Sequence, residues 1–317
     1  MDPWNKYKVR AAGGFYPSND NSLQSFSQIS HTSHVDQALN IVLDGVIRPG
    51  LVFDKSHLNT SRILVGWLSP NHWAKGYRYG NIKFDFDFQS LIPGKNYYWV
   101  EAIEEYSPHA CRILITDQNR DALLNRYDPT LRDGPWFYDT ASNKHYFNGR
   151  FCLEFMFEDS LKIDSLSGFG LVDHHQDYCS AHRLAPHLCD QKGAIAALGG
   201  AKFFMKAAAR EVDLKPISKF FSDSNGKYKT DILLAIEKIS RQLKIKGSFG
   251  GPIDVNNPGS KALARAILNA VVNKNVDEAN YLADFFDSDD SLLVNVAHII
   301  HASLNIGPIE DVLAQIC

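Results

Sequence analysis

Three short stretches carry the side chains best suited to chemistry. In Ile29-Ser30-His31-Thr32-Ser33 an imidazole and three hydroxyls end a strand-like run, and all four can exchange hydrogen bonds with a ligand. In Asn71 to Tyr79 an aromatic ring, Tyr77, with Tyr79 as its rival two residues on, can stack on a flat heterocycle or simply pack a helix onto a sheet. In Cys152-Leu153-Glu154-Phe155-Met156-Phe157, strand alternation puts Leu153, Phe155 and Phe157 on one face and Glu154 with Cys152 and Met156 on the other. A carboxylate in such apolar company is unfavourable unless it faces a cleft or a partner. It can steady positive charge developing in a transition state, help deprotonate an acceptor, or stand as a salt-bridged strand glutamate. Glu158 is a further candidate, close to the strand's end.

A second group of reactive types is Asp173, His174, His175, Cys179, His182, His187 and Cys189, all within seventeen positions. Cys179-x-x-His182 and His187-x-Cys189 offer four ligands to zinc, although the spacing matches no standard zinc module. The alternatives are a histidine-rich loop packed against the preceding domain, or histidines that position an acceptor. With these alternatives open, no metal is expected.

The elements that must hold these groups can be read from periodicity. Apolar residues at 35, 38, 39, 42 and 43 have helical spacing, and Gly45 is placed to end that helix. Ile63 to Leu68 reads as a buried strand. Asn81 to Phe88 alternates, with Ile82, Phe84, Phe86 and Phe88 on one side and Lys83, Asp85 and Asp87 on the other. Tyr97 to Ala102, Ile113 to Thr116 and Phe151 to Phe157 are further strands, and Asp128 to Tyr146 reads as a long functional loop. Beyond Asp164 the character turns helical, over Ala194 to Val212, Lys229 to Leu243 and several segments of Ser260 to Ile316.

Composition, at 44% hydrophobic and 22% charged over 317 residues, is globular and suits one large domain or two modest ones. No apolar run reaches the roughly eighteen residues of a membrane span, and Met1 to Arg10 lacks the apolar core of a signal peptide. Five scattered cysteines argue against a disulfide framework. A cytoplasmic protein without membrane partners is expected. The net charge of −3 hides an asymmetry: Arg183 to Gly250 carries 13 Lys/Arg against 6 Asp/Glu, and Pro252 to Cys317 carries 3 against 9. The basic block, including Lys238, Arg241, Lys244 and Lys246 with Phe220, Phe221, Tyr228 and Phe249 interleaved, fits single-stranded nucleic acid. It fits a solvated helix face equally well.

The order His31, Tyr77, Glu154 and its strand contexts resemble the poly-ADP-ribose-polymerase-like (His-Tyr-Glu type) ADP-ribosyltransferases. The resemblance covers about 135 of the 317 residues and extends to the spacing from His31 to Gly45 and the hydroxyl of Ser33. Thr32 stands where the family has Gly, a departure that tightens backbone approach to a nicotinamide amide. The resemblance implies NAD⁺ as substrate. It implies that His31 and Ser33, with Thr32 between them, grip the adenosine ribose and nicotinamide amide. Tyr77, or Tyr79 in its place, would stack on nicotinamide, and Glu154 would bond the nicotinamide-ribose 2′-hydroxyl. The implied fold class is α+β, an ADP-ribosyltransferase-like split β-sheet domain followed by an α-helical C-terminal region. Its parts would be an N-terminal arm (1–28), a catalytic domain (29–167) and a His/Cys-rich connector with helices (168–317). The compact chain looks like bacterial toxin and phage-defence members (DarT-like or CmdT-like) that modify nucleic acid, and an antitoxin partner would follow from that likeness. Protein mono-ADP-ribosylation, NAD⁺ hydrolysis, and a silent fold used for binding are the other readings.

Overall fold

The computed structural model describes residues 22–52, 56–73, 76–103, 109–175, 179, 203, 207 and 212–221. The chain divides into two compact units. The first comprises 1–31, 46–72 and 84–168, and the second 32–45, 73–83 and 169–317. The described residues are α+β, rich in strands and poor in helix. No helix among them is long and apolar enough to cross a membrane.

The first unit is organised by a five-stranded sheet in the order β4 (Gly66–Leu68), β11 (Cys152–Phe157), β7 (Ala110–Thr116), β6 (Asn96–Ile103) and β8 (Asn125–Arg126). β11 runs parallel to β7, while the β11–β4, β6–β7 and β6–β8 pairs are antiparallel. All seven residues of β7 and all six of β11 are buried, which explains their near-continuous apolar sequence. One face of this sheet packs Tyr98, Val100, Leu114 and Met156 against Val52, Leu58, Ile63 and Val65. On the side of Phe155 lies an aromatic cluster: Phe88 stacks on Phe155 at 4.7 Å between centroids, and Trp136 meets Phe155 edge-on at 5.2 Å.

A second sheet has the order β1 (Leu23–Phe26), β10 (Lys144–Asn148) and β9 (Trp136–Asp139), antiparallel throughout. Here two sequence expectations are corrected. The stretch read as a long loop, 128–146, contains the hairpin of β9 and β10, whose aromatic side chains are strand formers that pack rather than line a loop. Residues 23–26, read as part of an arm, form β1, paired with β10 from Leu23↔Asn148 to Phe26↔His145. Within this layer the Trp136 indole N–H donates to His145 Nδ1 at 3.2 Å, so His145 Nε2 carries the proton and donates to Gln89 at 2.9 Å. Burial drives the His145 pKa down to about 4, against a smaller upward pull from Asp87.

β3 (Val46–Ile47) pairs with β12 (Leu161–Lys162), and a three-stranded sheet has the order β13 (Leu166–Leu171), β5 (Ile82–Asp87) and β2 (Gln28–Ser33). The alternation expected for 81–88 holds for Ile82, Phe84 and Phe86, all wholly buried. The strand ends at Asp87, and Phe88 instead opens a short helix (Phe88–Leu91) while staying buried in the aromatic cluster. The strand expected at 63–68 is shortened to 66–68. Val65 extends it by an isolated bridge to Gly50, and Leu64 is 44% exposed.

In the second unit, α1 (Val35–Asp44) buries Val35, Ala38, Leu39, Ile41 and Val42 and ends on Gly45 in the left-handed region (φ 73°), as its spacing predicts. Leu43, expected on the buried face, is 65% exposed. At roughly 100° per residue it is rotated past the flank of the apolar arc, and Ile41 closes the other flank. Phe203, Ala207 and Ile217 are buried, and a short helix spans Lys215–Ser218. The helices expected over 229–243 and 260–316, and most of 194–212, lie outside the described residues.

Candidate active site

Glu154 sits mid-strand on β11, 6% exposed. Its register partner on β7 is Arg112, and Arg112 in turn faces Glu101 on β6. The three side chains form one row across three adjacent strands: Arg112 Nε donates to Glu154 Oε2 at 2.8 Å and Nη1 to Glu101 Oε1 at 3.0 Å. Arg112 is fully buried. The β6–β7 register shifts between Trp99 and Glu101, the signature of a β-bulge, and this irregularity brings Glu101 rather than Val100 opposite Arg112. Ser56, the N-cap of the turn at His57–Thr60, donates its hydroxyl to Glu101 Oε1, and the His57 backbone N–H donates to Oε2 at 3.3 Å. The Cys152 thiol lies 3.8 Å from Glu154 Oε1.

Trp67 on β4 joins this row to the histidine strand. Its ring lies 5.2 Å from the Arg112 guanidinium carbon, a cation–π distance. Its carbonyl accepts from His31 Nδ1 at 2.8 Å. A carbonyl can only accept, so Nδ1 holds the proton and Nε2 presents a lone pair. Burial lowers the His31 pKa by more than the Trp67 carbonyl raises it, which favours the neutral ring. Next to His31, Ser30 and Ser69 exchange backbone hydrogen bonds and the Ser30 hydroxyl donates to Asp85 at 2.6 Å. Within the first unit, then, Trp67 touches His31 through its carbonyl and Arg112, the partner of Glu154, through its ring.

The expected Ser33, Thr32, Tyr77 and Tyr79 belong to the second unit. Ser33 is buried, and Thr32, Tyr77 and Tyr79 are half-buried. Gly80 (φ 129°) lies against the Ser33–His34 backbone so closely that a Cβ there would fall 2.1 Å from the Ser33 oxygen. Tyr77 pairs through its backbone with the segment around His174, its N–H donating to Asp173 and its carbonyl accepting from His175, both at 2.7 Å. Glu158, the edge candidate, accepts from Thr116 at 2.7 Å and is ion-paired with Arg120. Among the described residues, Cys111, Cys152 and Cys179 are thiols outside any disulfide. Among the earlier zinc candidates, Cys179 is described and buried, whereas His182, His187 and Cys189 lie outside the described residues.

Two functional-looking features escape a reading of motifs. Arg112 stands alone in the apolar run Ala110–Thr116, and a cation so placed demands buried partners; Glu101, equally isolated in Asn96–Ile103, is one of them. His34, directly after the β2 motif, is buried beside Cys179. No family model, no curated protein and no solved structure matches the chain.

Proposed function

We propose that the chain is an NAD⁺-dependent mono-ADP-ribosyltransferase that moves ADP-ribose onto an intracellular acceptor. The observation that carries this reading is the link between the two strands. The Trp67 carbonyl orients His31, which is neutral, and the Trp67 ring lies against Arg112, which in turn fixes Glu154. A neutral His31 Nε2 accepts a hydrogen bond from a ribose hydroxyl. Glu154 accepts one from the 2′-hydroxyl of the nicotinamide ribose, which strengthens as positive charge gathers at C1′. The C1′–N bond breaks with its electron pair leaving on nicotinamide, and the acceptor's lone pair forms the new bond at C1′ as the acceptor loses its proton. The basic stretch 183–250 supports RNA or DNA as acceptor, in the manner of a toxin or defence effector.

One observation favours a second reading. Glu154, Arg112 and Glu101 form a buried ion-pair row, as a purely structural strand carboxylate would in a silent fold used for binding. Purified chain incubated with labelled NAD⁺ and separate pools of RNA, DNA and protein separates these. Nicotinamide release with label on nucleic acid is the expected result, and Glu154→Gln should abolish it. Label on protein, or release without transfer, would move the acceptor to protein or water. No release from any pool would overturn the enzyme reading and leave the binding fold.

A further inference from the structure

The second unit gathers three side chains of metal-binding type that the proposed transfer does not use. His34 follows β2, His174 follows β13, and Cys179 lies five residues on; they are 8%, 0% and 0% exposed. One ligand-type atom from each lies within 4.8 Å of the other two. His34 Nε2 and Cys179 Sγ are 3.4 Å apart, and the two imidazoles meet edge to face with centroids 5.1 Å apart. We propose that His34, His174 and Cys179 bind a zinc ion.

Geometry and donor chemistry both support the assignment. Tetrahedral zinc, with bonds of about 2.0–2.1 Å to imidazole nitrogen and about 2.3 Å to thiolate sulfur, sets its N···S edges at roughly 3.5 Å. The His34–Cys179 separation of 3.4 Å fits that edge. His174 Nδ1 lies 2.7 Å from the Tyr77 carbonyl, which can only accept, so Nδ1 carries the proton and Nε2 is the ring nitrogen able to ligate a metal. This outer hydrogen bond is the usual device for fixing a ligating imidazole. Two imidazoles with one thiolate are a borderline-soft set suited to zinc. On binding, the Cys179 thiol gives up its proton to solvent as the S–Zn bond forms.

The backbone that presents these groups is held on several sides. Tyr77 bonds Asp173 and His175, and Val172 and Asn81 are joined twice, by Val172 N–H to the Asn81 carbonyl at 2.8 Å and by the Asn81 amide to the Val172 carbonyl at 2.7 Å. Gly76 and Gly80 let this segment approach the other two. A Cβ on Gly76 would lie 3.0 Å from Asp173 O and His175 N, and one on Gly80 would collide with Ser33. The ligands at 34 and 174, 140 positions apart in sequence, are thereby brought to one place before any ion is considered. A water as fourth ligand completes a tetrahedral shell.

The test reads metal rather than transfer, so its failure is distinct from failure of the proposed activity. The full chain, purified without chelator, is expected to hold zinc at about one ion per chain. After chelation and reloading with Co²⁺ it should show tetrahedral ligand-field bands with a thiolate-to-cobalt charge-transfer band. Cys179→Ser should remove that band, and His174→Gln should weaken zinc affinity at least tenfold. Cys111→Ser, a buried thiol of the first unit, should change neither. Should Cys179→Ser not fold, X-ray absorption at the zinc edge of the wild-type chain decides, with sulfur and imidazole scatterers expected. Absence of bound zinc and cobalt, a band that survives Cys179→Ser, or a first shell without sulfur would each overturn the site. The three residues would then be a hydrogen-bonded packing cluster.

Discussion

Arg112→Met against Glu154→Gln gives the sharpest test of how the central sheet holds its charges. Arg112 is wholly buried, with two carboxylates at 2.8 and 3.0 Å, themselves 6% and 7% exposed. Formally the row carries one positive and two negative charges. Replacing the arginine by methionine strands both carboxylates in the sheet, and breaking a buried pair by removing one partner costs about 3–5 kcal/mol. Against a typical total of about 5–15 kcal/mol that is a large fraction. At about 2–4 °C per kcal/mol it lowers Tm by roughly 6–20 °C. Glu154→Gln leaves an amide oxygen for Arg112 Nε and a neutral Arg112–Glu101 pair, so its effect should stay near 1 kcal/mol. Adding Glu101→Gln and Glu154→Gln to Arg112→Met should recover part of the loss, because no ion is then left unpaired. Urea denaturation of the four chains measures all of this. If Arg112→Met costs less than Glu154→Gln, the row is not the buried ion network described, and Glu154→Gln loses its value as a fold-preserving probe of activity.

Two other outcomes follow from the geometry. His145 has its folded pKa lowered from 6.5 to about 4. The stability it contributes is therefore full above pH 6.5 and lost as pH falls toward 4, where protonating Nδ1 breaks the Trp136 bond; His145→Gln should flatten that acid limb in urea titrations, and parallel curves would refute the assignment. Gly80→Ala should lower stability by at least about 2 kcal/mol, since φ is 129° and the Ser33 carbonyl, being backbone, cannot move aside. Gly45→Ala, also left-handed but with open space around it, should lower it by only about 1 kcal/mol; equal effects by thermal melts would show that the close approach at Gly80 is not there.

How much could be read in advance depended on the physics behind each signal. α1 and β5 were legible because a buried face imposes a period, as in Ile82, Phe84 and Phe86, and β11 because its burial makes a near-continuous apolar run. The β9–β10 hairpin was not, because Pro, Asp, Gly and Asn around Trp136 and Tyr146 give loop chemistry that strand aromatics override only once β1 is there to pair. Glu154 stood out because a carboxylate among apolar neighbours needs an explanation. Its partner Arg112 followed the same logic yet lies in a strand 42 positions away, and register across strands is not written in either segment alone. The same holds for His34 and Cys179, joined only by folding.

The long reach of β1 carries a consequence for how the chain is made. Leu23–Phe26 pairs with residues 145–148, and β4 near position 67 pairs with β11 near 156. At about 5–20 residues per second, a nascent chain waits on the order of ten seconds between emergence of the early strands and arrival of their partners. Through that interval β1 and β4 have no partner strand, whereas β2 and β5 have already emerged and can pair with each other. Such non-local pairing is slow to form and leaves bare strand edges meanwhile. The first unit should therefore lean on chaperones during synthesis far more than its finished stability suggests, and chains halted before Phe157 should aggregate.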